Sequence, residues 1–172
     1  FGDGAGAVVM VQEESARPEA PGILGVRLYA EGAGHGLITI PAGGSRKPSG
    51  TETVREKDHL LRMQGSAVFR AAVRHLEHAI VDVLKEFGVS AADVTRLIAH
   101  QANARILEQL RRRLRLSQEA IYSVIERYGN TSSASLPIAL DCAVREQRLA
   151  AGDVVVLAAF GGGLTWATGL VR

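Results

Sequence analysis

Three turns in this sequence each follow a short apolar run and carry groups that can take part in catalysis. His100 ends the run Leu97–Ala99, Asn130 lies in the turn Tyr128–Ser132, and three glycines follow Phe160. In α/β folds ligands bind at the carboxyl ends of strands, because side chains there project from the sheet into a crevice. A histidine considered alone is better interpreted as a core or capping residue. The three turns together predict one shared pocket with an imidazole, a carboxamide and a glycine backbone.

The composition predicts one globular domain. The 172 residues are 47% hydrophobic and 22% charged, which is typical of a folded chain and not of a disordered one. A chain of this length buries roughly 70% of the surface that its unfolded form exposes. The longest apolar run, Val154–Phe160, is far shorter than the roughly 20 residues that span a bilayer, and no signal peptide pattern is visible. We therefore expect no membrane partner.

The single cysteine indicates the redox compartment of the protein, and the first residues indicate whether the chain is part of a longer one. Because Cys142 has no second cysteine to pair with, the chain suits a reducing compartment, and we expect a cytoplasmic protein. The chain begins Phe1-Gly2-Asp3-Gly4 without an initiator methionine. We therefore expect residues 1–172 to be part of a longer protein.

Hydrophobic periodicity predicts a strand pair, then helix, strand, helix, strand, helix, and a closing strand pair. Such alternation implies a layered α/β/α domain around a mixed sheet. The predicted elements, in chain order, are a hairpin of Val8–Val11 and Ile23–Ala30 joined by a turn at Glu13–Gly22, a long irregular loop at Glu31–Thr53, a long helix from Met63 to Phe87 ended by Gly88, the strand Leu97–Ala99, a helix through Ile106–Leu114, a small helix at Ser117–Tyr122, a short strand at Ser123–Arg127, a helix through Leu136–Leu149 with Pro137 in its first turn, and strands at Val154–Phe160 and Leu164–Val171.

Several other motifs have simpler interpretations. The glycines of Gly2–Gly6 have neither of the common phosphate-loop spacings, and no helix follows them. His75 and His78 have no acidic or cysteine partner at ligand spacing, so we expect them to be solvated helix positions. His35 and His59 have no metal-ligand spacing at all. We therefore predict no metal site. The arginines that follow the His100 turn lack neighbouring aromatic residues, so nucleic-acid binding is not favoured.

Taken together, the motifs closely resemble the C-terminal half of β-ketoacyl-acyl-carrier-protein synthase III, a condensing enzyme of the thiolase superfamily. The resemblance implies an α/β fold, a thiolase-like three-layer α/β/α half with a five-stranded mixed sheet, over residues 1–172. Five motifs carry it, in family order: Phe1-Gly2-Asp3-Gly4-Ala5-Gly6-Ala7, Met63-Gln64-Gly65 with Val68-Phe69, His100-Gln101-Ala102-Asn103, Gly129-Asn130-Thr131-Ser132, and Phe160-Gly161-Gly162-Gly163-Leu164-Thr165-Trp166.

The resemblance implies a Cys-His-Asn catalytic site whose cysteine belongs to an N-terminal half that this chain lacks. His100 and Asn130 match the catalytic histidine and asparagine, and Gly162 matches an oxyanion-hole glycine. The implied reaction is a decarboxylative Claisen condensation of an acyl-CoA with a malonyl carrier protein, without a metal or other cofactor. Two neutral donors suit this reaction, because they stabilise the enolate oxygen in a dry pocket. Cys142 is no substitute, because it lies near the apolar stripe of a helix.

The same resemblance implies residues that hold and deliver substrates. It implies acyl-CoA and an acidic acyl carrier protein as partners, and a homodimer for the full-length protein. A cationic patch speeds encounter with an acidic partner more than it raises affinity; the alternative is a solvated helix face. Asn103, Phe69, Phe160 and Ser66 match substrate or pantetheine positions, and Arg105, Arg112, Arg113 and Arg70 match carrier-docking positions.

Three positions depart from the common family pattern, and two alternatives to the fatty-acid reaction stay open. Ser66 stands where many relatives have asparagine, Arg70 where they often have lysine, and Ala167 where glycine usually follows the tryptophan. These changes put the acyl specificity in doubt. One alternative is a pathway-specific relative that primes polyketide synthesis or transfers acyl groups. The other is a non-catalytic fragment or partner subunit, because the chain carries no nucleophile of its own.

Overall fold

A computed structural model describes residues 1–12 and 21–172, and a four-stranded mixed sheet is its central element. The strand order is β1-β6-β5-β4. Strands β4 and β5 are parallel, whereas β6 is antiparallel to both β5 and β1. The four strands are β1 (Ile23–Ala30), β4 (Val94–Ala99), β5 (Val154–Gly161) and β6 (Thr165–Val171).

Five helices and a second, two-stranded sheet complete the described structure. Strands β2 and β3 pair antiparallel, and short 3₁₀ turns precede β2, β4 and α5. The elements are α1 (Thr51–Arg55), α2 (Gly65–Glu86), α3 (Ala104–Leu114), α4 (Ile125–Tyr128), α5 (Ser135–Arg145), β2 (Ile38–Thr39) and β3 (Arg62–Met63).

The central sheet has a separate apolar core on each face. Leu97 and Val156 point towards α2 and α3, while their neighbours Ile98 and Val155 point towards α5. Successive strand residues face opposite sides, so a strand covered on both sides is apolar at every position. This explains the continuous apolar runs of β4 and β5. The predicted three-layer α/β/α arrangement is confirmed.

Helix α2 follows the predicted periodicity closely. Its buried positions form one stripe along 22 residues, and Gly88 adopts a positive φ of 65° just beyond its end. Glycine tolerates this left-handed conformation because it has no Cβ. Pro137 lies in the first turn of α5, as predicted, where its missing N–H is not needed.

The prediction of a five-stranded sheet is wrong by one strand. Val8–Val11 forms no strand, its four side chains are exposed by 66–89%, and β1 pairs instead with β6. The segment before it lies against the beginning of α5: a Cβ on Gly4 would come within 2.9 Å of Ile138, and one on Gly6 within 2.4 Å of Pro137. These glycines thus permit close contact with a helix and do not open a hairpin. Most of the predicted turn at Glu13–Gly22 falls outside the described residues.

Residues 117–128 also differ from the prediction. Ser117–Tyr122 is not a helix; it forms a turn that ends in a single parallel bridge between Ile121 and Leu97. Ser123–Arg127 is not a strand, because helix α4 begins at Ile125. The buried side chain of Gln101 accepts hydrogen bonds from Ser123 Oγ and Val124 N, which holds this stretch beside β4. Val8–Val11 and Ser123–Arg127 are thus the two predicted strands that the central sheet lacks, and at the β4 edge only the single bridge at Ile121 is present among the described residues.

The long loop at Glu31–Thr53 is partly ordered. It contains a 3₁₀ turn, β2 and the start of α1. The buried carboxylate of Asp58 holds this loop in place, because it forms ion pairs with Lys47 in the loop and with Arg62 in β3. These hydrogen-bonded cations lower the pKa of Asp58. None of the helices in the described part of the chain has both the length and the apolar character needed to cross a bilayer.

Candidate active site

The parallel pairing of β4 with β5 brings two of the three predicted turns to one edge of the sheet. His100 directly follows β4, and its backbone N–H donates to Ala158 O of β5 at 2.7 Å. Gly162 directly follows β5. The third turn, with Asn130, connects α4 to the 3₁₀ turn that leads into α5. All three turns therefore meet at the same end of the sheet.

His100, Asn130 and Gly162 line one cavity of about 250 Å³. Its wall also carries Phe160, whereas Ala72 and Leu76 of α2 contribute apolar surface. A cavity with apolar walls and a few polar groups strengthens electrostatic interactions within it, because little water competes for them. The remaining lining residues are Phe1, Ile38, Leu61, Met63, Val68, Ala102, Ile106, Ser132 and Gly161.

The imidazole of His100 is held in a neutral state at physiological pH. Burial lowers its pKa from the usual value, and a hydrogen bond to the backbone of Ser132 opposes this only in part. Its Nδ1 lies 2.6 Å from Ser135 Oγ. His100, Ser132 and Ser135 also line a second cavity of about 520 Å³, which extends to Trp166.

The side chain of Asn130 is oriented by the turn in which it lies. Its Oδ1 accepts a hydrogen bond from Ser132 N at 2.9 Å. Since the carbonyl end of the amide is occupied in this way, the NH₂ end is left as the donor. The backbone is also anchored, because Gly2 N donates to Asn130 O at 2.8 Å. Asn130 therefore presents two N–H groups to its surroundings.

The glycine turn after β5 contains one position that sterics leave open to other residues and one that requires glycine. A Cβ on Gly162 would make ordinary contacts of 3.5 Å with Ile38, so sterics in the described structure do not require glycine there. Gly163 adopts a φ of 138° and does require it. Phe160, just before the turn, packs within an aromatic group that includes Trp166 and His75.

Some of the predicted site residues line a third, cationic cavity of about 500 Å³ that His100 does not line. Phe69 lies here and not on the His100 cavity, together with Arg70, Arg74 and Arg113. Arg113 is paired with Glu77 at 2.6 Å. This cavity lies between α2 and α3, so it has cationic residues on two helices.

The remaining predicted residues are exposed and lie outside the His100 cavity. Ser66 is in the first turn of α2, and Arg105 in the first turn of α3. Asn103 caps α3, because its Oδ1 accepts the N–H of Arg105 at 2.8 Å. Arg112 donates to Glu108 at 2.6 Å, and with Arg111 it lowers the pKa of that carboxyl group to about 2.

Cys142 is remote from the candidate site. It lies half-buried on α5 at 3.8 Å from the hydroxyl of Tyr128 and lines none of the cavities that contain His100. Within residues 1–12 and 21–172, no three His, Cys, Asp or Glu side chains cluster as metal ligands do.

Two buried polar residues of the site were given no role by the sequence analysis. Ser135 contacts His100 from 35 positions away, and Gln101 reaches Val124 from 23 positions away. Neither pair has a spacing that local periodicity can reveal. A glutamine after a buried strand is a weak signal by itself, although a fully buried amide must find partners.

The domain has three α/β/α layers, with an imidazole, a carboxamide and a glycine turn at one end of its sheet. This combination defines a thiolase-like condensing-enzyme fold. Comparison with known families gives the same result: residues 84–172 match the family described as 3-oxoacyl-[acyl-carrier-protein (ACP)] synthase III C terminal. The chain belongs to this family.

Relatives with curated names and solved structures extend the match over the whole chain. β-Ketoacyl-[acyl-carrier-protein] synthase III of Erythrobacter litoralis is 49% identical over 100% of this chain and 51% of its own length. The Caldanaerobacter subterraneus protein of that name is 45% identical with the same coverage. The crystal structure of 3-oxoacyl-(acyl carrier protein) synthase III from Pseudomonas aeruginosa PAO1 superposes with a TM-score of 0.78 at 34% identity, over 92% of this chain and 46% of that one. The chain thus spans about half the length of these relatives.

Proposed function

We propose that the protein carrying this chain is a β-ketoacyl-acyl-carrier-protein synthase III that initiates fatty-acid synthesis. Residues 1–172 make up its C-terminal domain and supply the histidine and asparagine of the site. The observation that supports this best is the cavity shared by His100, Asn130 and Gly162. The names of the relatives do not favour the alternative of a polyketide-priming enzyme or a non-catalytic subunit.

The reaction joins an acyl group to a malonyl thioester in two stages. A cysteine outside this chain attacks the acyl-CoA carbonyl, CoA leaves as a thiol, and the acyl group stays on sulfur. The malonyl thioester then loses CO₂: its carboxylate–carbon bond breaks, and the electron pair passes into an enolate. The enolate carbon attacks the acyl thioester, the carbon–sulfur bond breaks, and the cysteine thiolate is released.

His100 and Asn130 act on the enolate stage. An imidazole N–H and the Asn130 NH₂ donate to the developing oxyanion and lower the barrier to loss of CO₂. The lowered pKa of His100 fits this role, because a neutral ring needs no counter-ion in a dry site. The backbone N–H of Gly162 donates to the second oxyanion, which forms when the enolate attacks. No metal or cofactor takes part in these steps.

Substrate delivery uses the surface around α2 and α3. We assign acyl-CoA and an acidic acyl carrier protein as partners. Arg70, Arg105, Arg112 and Arg113 attract the carrier, while Phe69, Phe160, Ser66 and Asn103 lie along the route of its pantetheine arm. The full-length protein is a cytoplasmic homodimer in this proposal.

The test separates acyl loading from malonyl decarboxylation in the full-length protein that carries this chain. His100→Ala and Asn130→Asp should each reduce decarboxylation by at least about a hundredfold, since one oxyanion donor contributes that much. Both variants should still form the acyl-enzyme, which mass spectrometry detects. His78→Ala, on the exposed face of α2, serves as the control with full activity. Equal loss of loading and decarboxylation would contradict the assigned roles.

A further inference from the structure

A buried serine contacts the side of the His100 ring opposite to its Nε2. Ser135 begins α5, is 1% exposed, and places its Oγ 2.6 Å from His100 Nδ1. The same oxygen lies 3.1 Å from the backbone N of Gln101. No sequence motif pointed to this residue, and the function described above gives it no role.

The roles of donor and acceptor in this group follow from the chemistry of each atom. The Gln101 N–H can only donate, so Ser135 Oγ accepts that hydrogen bond. The serine hydroxyl still has its own proton, and its only other recorded partner among the described residues is His100 Nδ1. If Nδ1 carried a proton, the hydroxyl proton would be buried without an acceptor, which is costly. The satisfied arrangement therefore has Nδ1 as acceptor.

A neutral imidazole with an occupied Nδ1 acceptor carries its only proton on Nε2. We infer that Ser135 is a positioning residue that fixes the Nε2–H tautomer of His100. Its hydrogen bond is comparable to the one that the Ser132 N–H donates to Asn130, because each engages the acceptor end of a side chain. The consequence for catalysis rests on the proposed function, whereas the tautomer itself does not.

The tautomer is measured directly by long-range ¹H–¹⁵N correlation spectra of the ¹⁵N-labelled chain above the pKa of His100. The chain has five histidines, and a His100→Gln variant assigns the signal. We expect a protonated Nε2 and an unprotonated Nδ1. A protonated Nδ1 in the unmodified chain would overturn the inference whatever the activity of the enzyme.

Variants of Ser135 test whether this residue is the cause. Ser135→Ala removes the donor and should shift the tautomer ratio towards Nδ1–H by roughly two- to tenfold, the range expected for one neutral hydrogen bond. Ser135→Thr keeps a hydroxyl and should restore the original ratio. Ser133→Ala, at an exposed serine of the same turn, is the matched control and should change nothing. An unchanged ratio in folded Ser135→Ala would overturn the assignment.

Kinetics of the full-length enzyme separate this inference from the proposed function. Ser135→Ala should lower kcat for decarboxylation by less than this roughly two- to tenfold factor, because kcat follows the fraction of rings protonated at Nε2 and not the tautomer ratio, with KM unchanged and acyl loading intact. A raised KM with unchanged kcat would contradict the positioning role. If the unmodified enzyme does not decarboxylate malonyl thioesters at all, the proposed function fails while the spectroscopic result still decides the tautomer. If Ser135→Ala does not fold, Ser135→Cys, with its weaker donor, replaces it and should give an intermediate ratio.

Discussion

Between α2 and β6, the imidazole of His75 stacks on the indole of Trp166 with ring centroids 4.1 Å apart. Burial lowers the pKa of His75, nearby Arg74 and His78 lower it further, and Glu31 at 3.2 Å opposes them. His75 was predicted to be a solvated helix position, yet its ring is largely buried in an aromatic group. Periodicity placed it correctly on α2 but did not reveal that β6 would present an indole to it.

This stack makes Trp166, the only tryptophan of the chain, a reporter of His75 protonation. A cationic imidazole quenches a stacked indole, so emission should fall as the pH falls, with a midpoint below the usual imidazole value of about 6.5. Because the pKa of His75 is lowered in the folded state, the unfolded state binds more protons on acidification. The stability that neutral, buried His75 contributes above about pH 6.5 is therefore lost as the pH falls through and below that value. Fluorescence titration of the chain measures the midpoint.

Two variants control this titration. His75→Gln should abolish the transition, whereas His78→Gln, at an exposed position of the same helix, should preserve it. A transition that survives in His75→Gln would show that another group quenches the tryptophan.

At the scale of single elements, Asn103 at the start of α3 has two candidate roles, a helix cap and a substrate contact, which experiments can separate. Asn103 was predicted to be a substrate or pantetheine position, and the structure shows that its Oδ1 caps the helix by accepting the N–H of Arg105 at 2.8 Å. Asparagine, aspartate and serine are about equally good at this position, and loss of the cap costs about 1 kcal/mol. The cap therefore accounts for the residue type without any substrate contact.

Substitutions of Asn103 distinguish the cap from a substrate contact. Asn103→Ala should lower the free energy of unfolding of the chain by about 1 kcal/mol, measured by urea denaturation. Asn103→Asp should keep most of the stability, because its carboxylate also accepts the N–H. If Asn103 also holds the pantetheine arm, Asn103→Asp should raise the KM of the full-length enzyme for the carrier substrate. Unchanged stability in Asn103→Ala would contradict the cap.

The elements most strongly marked in the sequence were predicted correctly, and the weakly marked ones were not. The stripe of α2 and the apolar runs of β4 and β5 determine their own structure, because burial on one stripe or on both faces leaves one solution. Val8–Val11 has strand-like residues but no strand partner in the described structure, and Ser123–Arg127 became part of a turn and α4 around buried Gln101. Short segments depend on partners distant in sequence, which a local pattern does not contain.

At the scale of the whole molecule, the four arginines predicted to dock the carrier differ in how far neighbouring carboxylates neutralise their charge. Arg112 and Arg113 are paired with Glu108 and Glu77. No acidic side chain of the described residues lies within ion-pair distance of Arg70 or Arg105. The clustering of arginines was visible in the sequence, but the partners on α2 and within α3 were not. We therefore expect Arg70 and Arg105 to contribute most to attraction of the acidic carrier in the proposed function.

Alanine variants of the full-length enzyme test this difference. Arg70→Ala and Arg105→Ala should lower kcat/KM for a malonyl carrier protein more than Arg112→Ala does, and the loss should shrink as salt rises, because exposed charges are screened. Malonyl-CoA used in place of the carrier should show no such pattern. Equal effects with both substrates would place these arginines at the chemistry and not at docking.

Cys142 is the only thiol of residues 1–172 that could carry an acyl group. Cys142 lies outside the His100 cavities, and its recorded hydrogen-bond partner is the hydroxyl of Tyr128 and not an imidazole. In a Cys-His site the thiol loses its proton to an adjacent imidazole that acts as general base. The 172-residue chain incubated with acetyl-CoA should therefore show no acetyl adduct by mass spectrometry, whereas iodoacetamide under denaturing conditions should label Cys142 and prove that the thiol is detectable. An acetylated Cys142 that disappears in His100→Ala would show instead that the chain already contains a complete catalytic site.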